Sequence, residues 1–332
     1  MNTNTENGTK RSLLALRGFN QNWSSQISLA AALILICIVF SILSPFFFTR
    51  LNFVNIGHYL PPFAIMAAGC TVALTLGALD VSQYSNCALV GVLAVLMDRA
   101  GVPIIAVFFV CIALGMALGA VNGFTVTVLR LNPIIATLAS GMIMRGFCYF
   151  FTEGRTFSVT PASALVYFEI GRGTLFDLIP NTLLFMIAVY LIIFVILKYT
   201  RFGRNIYAVG GNNEASFLAG INVRATRFGG FVLCGATAGL AGFLILSQLA
   251  AFQPNTGEAT LMDVIAAVIL GGASLSGGKS RLFGTILGVL TLTVIQNGMN
   301  LIGLQLYYQM IVRGVIVIVA VYIDVIRGGG FR

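Results

Sequence analysis

The chain has 332 residues, 58% of them hydrophobic and only 9% charged, with mean hydropathy +0.97. A soluble domain carries roughly 25% charged residues, so the composition excludes an ordinary water-soluble fold and makes lipid the solvent for most of the chain. The net charge of +9 comes from basic residues clustered in short polar segments, a pattern of membrane topology rather than of nucleic-acid binding.

Residues 1–26 are polar and read as a cytoplasmic tail. Asn7 and Asn22 head Asn-x-Ser/Thr triplets there, which carry no weight on the cytoplasmic side. The first apolar run, 27–48, ends in Pro45-Phe46-Phe47-Phe48 with no small-residue cleavage site, so it reads as a first membrane helix and not as a secretory signal. Further runs lie at about 59–79, 85–97, 102–128, 134–151, 179–199, 228–250, 261–275, 282–303 and 306–326. The expected fold is an all-α integral membrane protein of about ten transmembrane helices. The third and eighth are shorter than the roughly 20 residues of a full span. One transmembrane domain, 27–326, is expected, with an external loop at 153–178, a cytoplasmic loop at 200–227 and a tail at 327–332.

Alternating helices from an inside N-terminus put thirteen of the 19 basic residues in cytoplasmic segments: Lys10, Arg11, Arg17, Arg130, Lys198, Arg201, Arg204, Arg224, Arg227, Lys279, Arg281, Arg327 and Arg332. Only Arg50, Arg99, Arg155 and Arg172 fall outside, as do Asp98, Glu153, Glu169, Asp177 and Glu258. The positive-inside rule favours this orientation, with both termini cytoplasmic.

Cys37, Cys70, Cys87, Cys111, Cys148 and Cys234 lie in or beside apolar runs without a C-x-x-C pair, as packing residues do. The one histidine, His58, has no metal-ligand neighbours. No catalytic, cofactor-binding or metal site is expected.

Asp80, Arg145, Asp263 and Arg313 fall within apolar runs, where a charge is a functional candidate by default. Asp80 sits at a helix break and can instead cap the next helix; Asp263 lies near a helix start, where the dipole favours it. Four scattered charges make a poor ion relay, which weighs against a gradient-driven secondary carrier. Uncharged polar residues are more suggestive. Ser82, Tyr84, Asn86, Asn122, Gln296 and Asn297, with Asp80, could line the path of a neutral polyhydroxylated solute; the plainer reading is interhelical hydrogen bonding.

Two glycine-rich stretches echo each other, "LGALDVS" at 76–82 and "LGGASLS" at 270–276, each beside a short apolar run. Such pairs can mark broken helices at a transport site. "GGASLSGGKS", 271–280, imitates a phosphate-binding loop, but the glycine required five residues before Gly278 is Ala273, and a membrane helix precedes it rather than a strand. It reads as a tight turn.

Residues 204–228, "RNIYAVGGNNEASFLAGINVRATRF", form a polar island. Asn212 or Asn213 can cap a short helix begun by Glu214 and Ala215 and ended by Gly220 in the left-handed region. Ala215, Leu218 and Ala219 give it a small apolar face. About seven residues do not hold a helix alone in water, so this one needs a dock.

"TRFGRNIYAVGGNNEASFLAGINV" (200–223) resembles the cytoplasmic loop of the permease subunits of bacterial ABC sugar importers, the ribose, xylose, arabinose and galactoside permeases. "GALDVS", "NGFTVTVLRLNPIIATLASGMIMRG", "LMDVIAAVILGGASLSGGKSRLFGTILG" and "QNGMNLIGLQLYYQMIVRGVIVIVAV" fit the same family, covering about 55–325. The resemblance implies an inner-membrane homodimer with a cytoplasmic ATPase and an external sugar-binding protein. It makes 212–221 the coupling element, with Glu214, Ala215 and Gly220 on the family pattern. Near the second helix the family usually reads Gly-Gly-Ile/Met-Asp-Leu-Ser followed by a small pair, and here Ala78 and the Gln83-Tyr84 pair depart from it, which leaves another sugar or sugar-like solute open beside a pentose; a nucleoside stays open because solute choice rests mostly with the binding protein.

Overall fold

The computed structural model describes residues 26–256 and 260–327. Asn7, Asn22, Glu258 and nearly all of both expected tails lie outside these residues. Every one of the ten apolar runs contains a helix: α1 (Gln26–Leu43), α2 (Arg50–Thr75), α3 (Gln83–Arg99), α4 (Ile104–Thr127), α5 (Pro133–Thr152), and, beyond α6, α7 (Asn181–Tyr199), α10 (Val223–Leu249), α11 (Thr260–Leu270), α12 (Leu282–Leu301) and α13 (Leu306–Arg327). Seven of these, α1, α2, α4, α5, α7, α10 and α12, are long and apolar enough to cross a membrane.

Three additional helices lie in the polar segments: α6 (Pro161–Arg172), α8 (Arg201–Gly211) and α9 (Asn213–Leu218). Of these only α9 was legible as a helix. The described strands are two-residue pieces: β1 (Phe157–Ser158) pairs antiparallel with β4 (Ala251–Phe252), and β2 (Thr174–Leu175) with β3 (Ile179–Pro180).

Boundaries moved where capping overrides hydropathy. α2 starts at Arg50, well before its apolar run, because the Thr49 hydroxyl accepts from the Asn52 N–H. α10 starts at Val223 because Asn222 Oδ1 accepts from the Ala225 N–H at 2.9 Å.

The centre of the molecule is α10 packed on α4, α2 and α3. Gly115 and Gly119 of α4 cross Gly235 and Gly239 of α10 so closely that a Cβ on Gly115 would lie 2.3 Å from the Gly235 carbonyl oxygen. Small residues allow this approach, the usual means of helix association in lipid. At the periphery α1 touches the bundle through Phe40, whose ring lies against Gly298 of α12.

The two echoing stretches end their helices the same way. After α2, the Gly77 N–H donates to Leu74 O and the Ala78 N–H to Ala73 O; after α11, Gly272 donates to Ile269 O and Ala273 to Val268 O. Gly77 (φ +66°) and Gly272 (φ +98°) supply the left-handed residue this cap requires. The backbone match pairs Gly77-Ala78 with Gly272-Ala273, one residue out of step with the match by letters, which paired Leu-Gly with Leu-Gly.

The chain's polar ends segregate onto two faces. One carries α8, α9, the 271–281 turn, and Arg130, Lys198, Arg201, Arg204, Arg224, Arg227, Lys279 and Arg281. The opposite face carries α6, both strand pairs and the acidic Asp98, Glu153, Glu169 and Asp177. There Asp98 accepts from the Thr160 N–H at 2.7 Å, Arg99 lies 3.9 Å over the Phe157 ring, and Arg50 donates to the Asp177 carbonyl. Burial pushes the Tyr167 phenol of α6 well above its usual range.

Candidate functional site

The polar island folds as two consecutive helices. Thr200 caps α8, its hydroxyl accepting from the Gly203 N–H at 3.0 Å. Gly203, Ile206 and Val209 recur every three residues and form the buried face of α8. Asn212 then breaks the helix in an extended conformation, and its Oδ1 accepts from the Ala215 N–H at 3.0 Å, so Asn212 is the cap of α9 and Asn213 its first residue. Glu214 lies in the first turn of α9. Gly220, with φ +81°, donates to Phe217 O while Ile221 donates to Ser216 O, the same cap that ends α2 and α11.

This short helix is held from below and bare above. Ser216 is its one buried residue, and the Asn213 amide bridges the Val209 carbonyl and the Arg227 guanidinium. Ala215 and Ala219 are exposed, and Phe217 and Leu218 are 71% and 84% exposed. The expected apolar face of Ala215, Leu218 and Ala219 therefore does not pack on the chain itself; Ser216 seats the helix. With Ile221, Arg224 and Arg227, the helix lines a shallow concavity. Phe217, absent from the sequence-derived set, is the largest apolar group presented here.

The polar residues of the membrane interior fall into two places. Asp80, Ser82 and Asn122 meet in one buried cluster: Ser82 donates through its N–H (2.9 Å) and its hydroxyl (2.7 Å) to Asp80 Oδ1, and Asn122 donates to the Ser82 hydroxyl at 2.5 Å. Ser82 is the residue at the N-cap of α3, so Asp80 braces the start of that helix from the preceding loop. The Val81 N–H donates to the Thr137 hydroxyl, fixing the loop to α5. Asn86 donates to Gly115 O at 3.1 Å, and Tyr84 is buried nearby on α3. The Oδ1 atoms of Asn86 and Asn122 are buried without a hydrogen-bond partner. Gln83, one of the polar residues the sequence marks on this helix, donates through Nε2 to Met66 O at 2.8 Å and to the Thr237 hydroxyl at 3.3 Å; Thr137 and Thr237, which join this network, were not singled out by the sequence.

Gln296 and Asn297 lie elsewhere. Asn297 donates to Asn52 Oδ1 at 2.8 Å, joining α12 to α2. Gln296 lines a cleft between α2, α11, α12 and α13, together with Phe63, Thr293 and the Asp263–Arg313 ion pair at 3.3 Å. Among the described residues no group of three or more His, Cys, Asp or Glu is placed to hold a metal ion.

Residues 52–321 match the family model described as the permease component of the branched-chain amino acid transport system. The chain belongs to this permease family. It is 40% identical over 320 residues, 95% of this chain and 98% of the relative, to the ribose import permease protein RbsC of Escherichia coli K12. It is 34% identical to the D-allose transport system permease protein AlsC of the same organism, covering 88% and 89% of the two chains. A probable ABC transporter permease protein, YphD, also from Escherichia coli K12, is 33% identical, covering 94% and 93%. No solved structure matches the chain. This permease is thus a multi-pass protein of the bacterial inner membrane and a transport subunit rather than an enzyme; ATP hydrolysis and solute capture belong to partner subunits.

Proposed function

We propose that this permease carries a monosaccharide across the inner membrane with the face bearing α8 and α9 in the cytoplasm, and that α9 fits a groove of a separate ATPase. The ribose and allose permeases among its relatives support a sugar as the solute. The observation that carries the ATPase contact is α9 itself: a six-residue helix, capped at both ends, that presents Phe217 and Leu218 to solvent. A helix this short persists only because its caps and Ser216 hold it, and exposed apolar side chains on a fixed helix mark a protein contact. Asn212, Asn213, Glu214, Ala215, Leu218 and Gly220 set its shape and position. The concentration of basic residues on this face supports its assignment to the cytoplasm. The opposite face, with α6 and its carboxylates, receives the sugar-binding protein.

A second copy of the chain completes the pore. α5 supports this reading, since it packs on α3 and α4 along one side and leaves Ile135, Met142, Ile143 and Phe150 exposed on the other. In the solute path, Gln296, beside Asp263 and Arg313, and Asn297 are the partly exposed members. Asp80, Ser82, Tyr84, Asn86 and Asn122 are closed off in this conformation and reach a solute only when the 76–82 segment moves, a two-state transition biased by ATP in the partner.

The test is Gly220→Pro. Proline fixes φ near −65°, which the left-handed cap does not permit. In proteoliposomes with the ATPase and binding protein, this variant should lose ATP-dependent sugar uptake while keeping its helical content. Full uptake would refute the assignment of α9. A panel of ribose, allose and a nucleoside in the same assay identifies the solute, and uptake driven by a proton or sodium gradient without the ATPase would favour a secondary carrier.

A further inference from the structure

The phosphate-loop imitation at 271–280 has a structural partner. Its Gly278 N–H donates to the carbonyl oxygen of Thr75, the last residue of α2, at 2.8 Å. Gly210 of α8 lies against the same carbonyl: a Cβ on Gly210 would come within 1.7 Å of Thr75 O and 2.7 Å of Gly278 N. On the other side, a Cβ on Gly277 would lie 2.8 Å from Gly210 O and 3.0 Å from Gly77 Cα, and one on Gly278 2.7 Å from Gly211 Cα. Gly77, Gly277 and Gly278 all have positive φ, so the backbone demands glycine at all three, and at Gly277 and Gly278 space demands it as well. Hydroxyls complete the junction. Thr75 donates to Ser280 at 2.6 Å, Ser280 to the Tyr207 hydroxyl of α8 at 3.4 Å, and the Thr71 and Thr285 hydroxyls join α2 to α12 at 2.8 Å.

Three segments far apart in sequence thus meet backbone to backbone. One is α8, continuous with the proposed ATPase dock. The others are the two matching breaks that follow α2 and α11. At Gly210, Gly277 and Gly278 the nearest atoms across the junction are all backbone, with no rotamer there to absorb a displacement; contacts of this kind transmit strain.

We propose that this glycine junction, Gly210 with Gly277, Gly278, Thr75 and Ser280, is the transmission point of the permease: α8, the end of α2 and the 271–281 turn move as one rigid body, so that displacement of the ATPase dock is delivered directly to both broken helices. These are positioning residues that touch neither solute nor nucleotide. The inference rests on the reading of α9 as the ATPase contact and adds where the motion goes next.

Rigidity is tested by a reversible lock. In the full complex, Thr75→Cys with Ser280→Cys is oxidised to a disulfide, then reduced, and sugar uptake and ATP hydrolysis are measured in both states of the same protein. A rigid junction predicts uptake unchanged within about twofold between the two states. Uptake that falls tenfold or more on oxidation and returns on reduction means the two segments slide, and overturns the proposal. Gly210→Ala supplies the second arm. The added Cβ wedges α8 from α2, and the expected result is ATPase binding retained and ATP hydrolysis continuing while uptake falls at least tenfold. Uptake and hydrolysis that fall together with loss of ATPase binding would make Gly210 a residue of the dock, not of transmission, and also overturn it. If the unmodified permease shows no ATP-dependent uptake with its partners, the functional reading fails independently of the junction.

Discussion

Asn122 of α4 donates to the hydroxyl of Ser82 at 2.5 Å, and that hydroxyl in turn donates to Asp80 Oδ1 at 2.7 Å. This chain of hydrogen bonds anchors an irregular segment, 76–82, inside the membrane region, where freed backbone groups need internal partners. Removing the amide should loosen the segment without removing a helix. Asn122→Ala is expected to lower stability by about 1–3 kcal/mol, the range for stranding a buried hydrogen-bonding partner. Thermal unfolding in detergent checks this. An unchanged midpoint would mean the cluster is not holding the break.

Much of the architecture was legible because lipid imposes a simple rule: long apolar runs become helices. The ten helix-bearing runs follow from that rule. The helix α8 was hidden because its apolar residues, Ile206 and Val209 beside Gly203, are too few and too widely spaced to stand out in a hydropathy profile, while the cap that starts it is the ordinary-looking Thr200. The polar interior was read as a set of seven residues, yet the fold divides it. Asp80, Ser82 and Asn122 meet only because α4 and the loop before α3 cross in space, and Gln296 belongs to another cleft altogether. Gln83 stood out because it is a polar residue one position past the break, but its partners Met66 and Thr237 come from other helices and do not show in the sequence. Phe217 was passed over because a phenylalanine in a hydrophobic chain reads as core until its exposure is known.

Asp263 and Arg313 form an ion pair at 3.3 Å between α11 and α13, each side chain about 16% exposed. Asp263→Ala leaves Arg313 without this carboxylate, and Arg313→Ala leaves Asp263 without its guanidinium. Each is expected to destabilise by about 1–3 kcal/mol, below the full range for buried pairs because solvent reaches both groups. The exchange Asp263→Arg with Arg313→Asp should recover part of that loss. A double-mutant cycle on the thermal midpoints measures the coupling, and a coupling near zero would count the pair as incidental.

Gly235 of α10 faces Gly115 of α4 with so little clearance that a Cβ on it would sit 2.2 Å from the Gly115 carbonyl oxygen. The contact is backbone on backbone, so neither helix yields by a rotamer change. Gly235→Ala should force α4 and α10 apart and cost about 1–3 kcal/mol, and Gly235→Val more. Gly211 is the control, since nothing lies within 4 Å of a Cβ built there. Gly211→Ala should leave the unfolding midpoint unchanged.

Phe217 and Leu218 separate the docking role of α9 from any role in the fold. Both are on the solvent side of a helix whose attachment runs through Ser216 and Asn213, so changing them removes no packing within the chain. Phe217→Asp and Leu218→Asp should therefore leave thermal stability within about 0.5 kcal/mol of the parent, as surface substitutions do. In a protein contact the same substitutions place a carboxylate against an apolar groove, and truncating an anchor of this kind weakens binding by about 2 kcal/mol or more. Co-purification with the ATPase should fall by tenfold or more, and ATP-dependent uptake with it. Ser216→Leu should do the reverse in order of cause, destabilising the seat of α9 first and losing the ATPase as a result. If both aspartate variants bound the ATPase at full strength, the exposed pair would belong to some other surface and α9 would lose its assigned role.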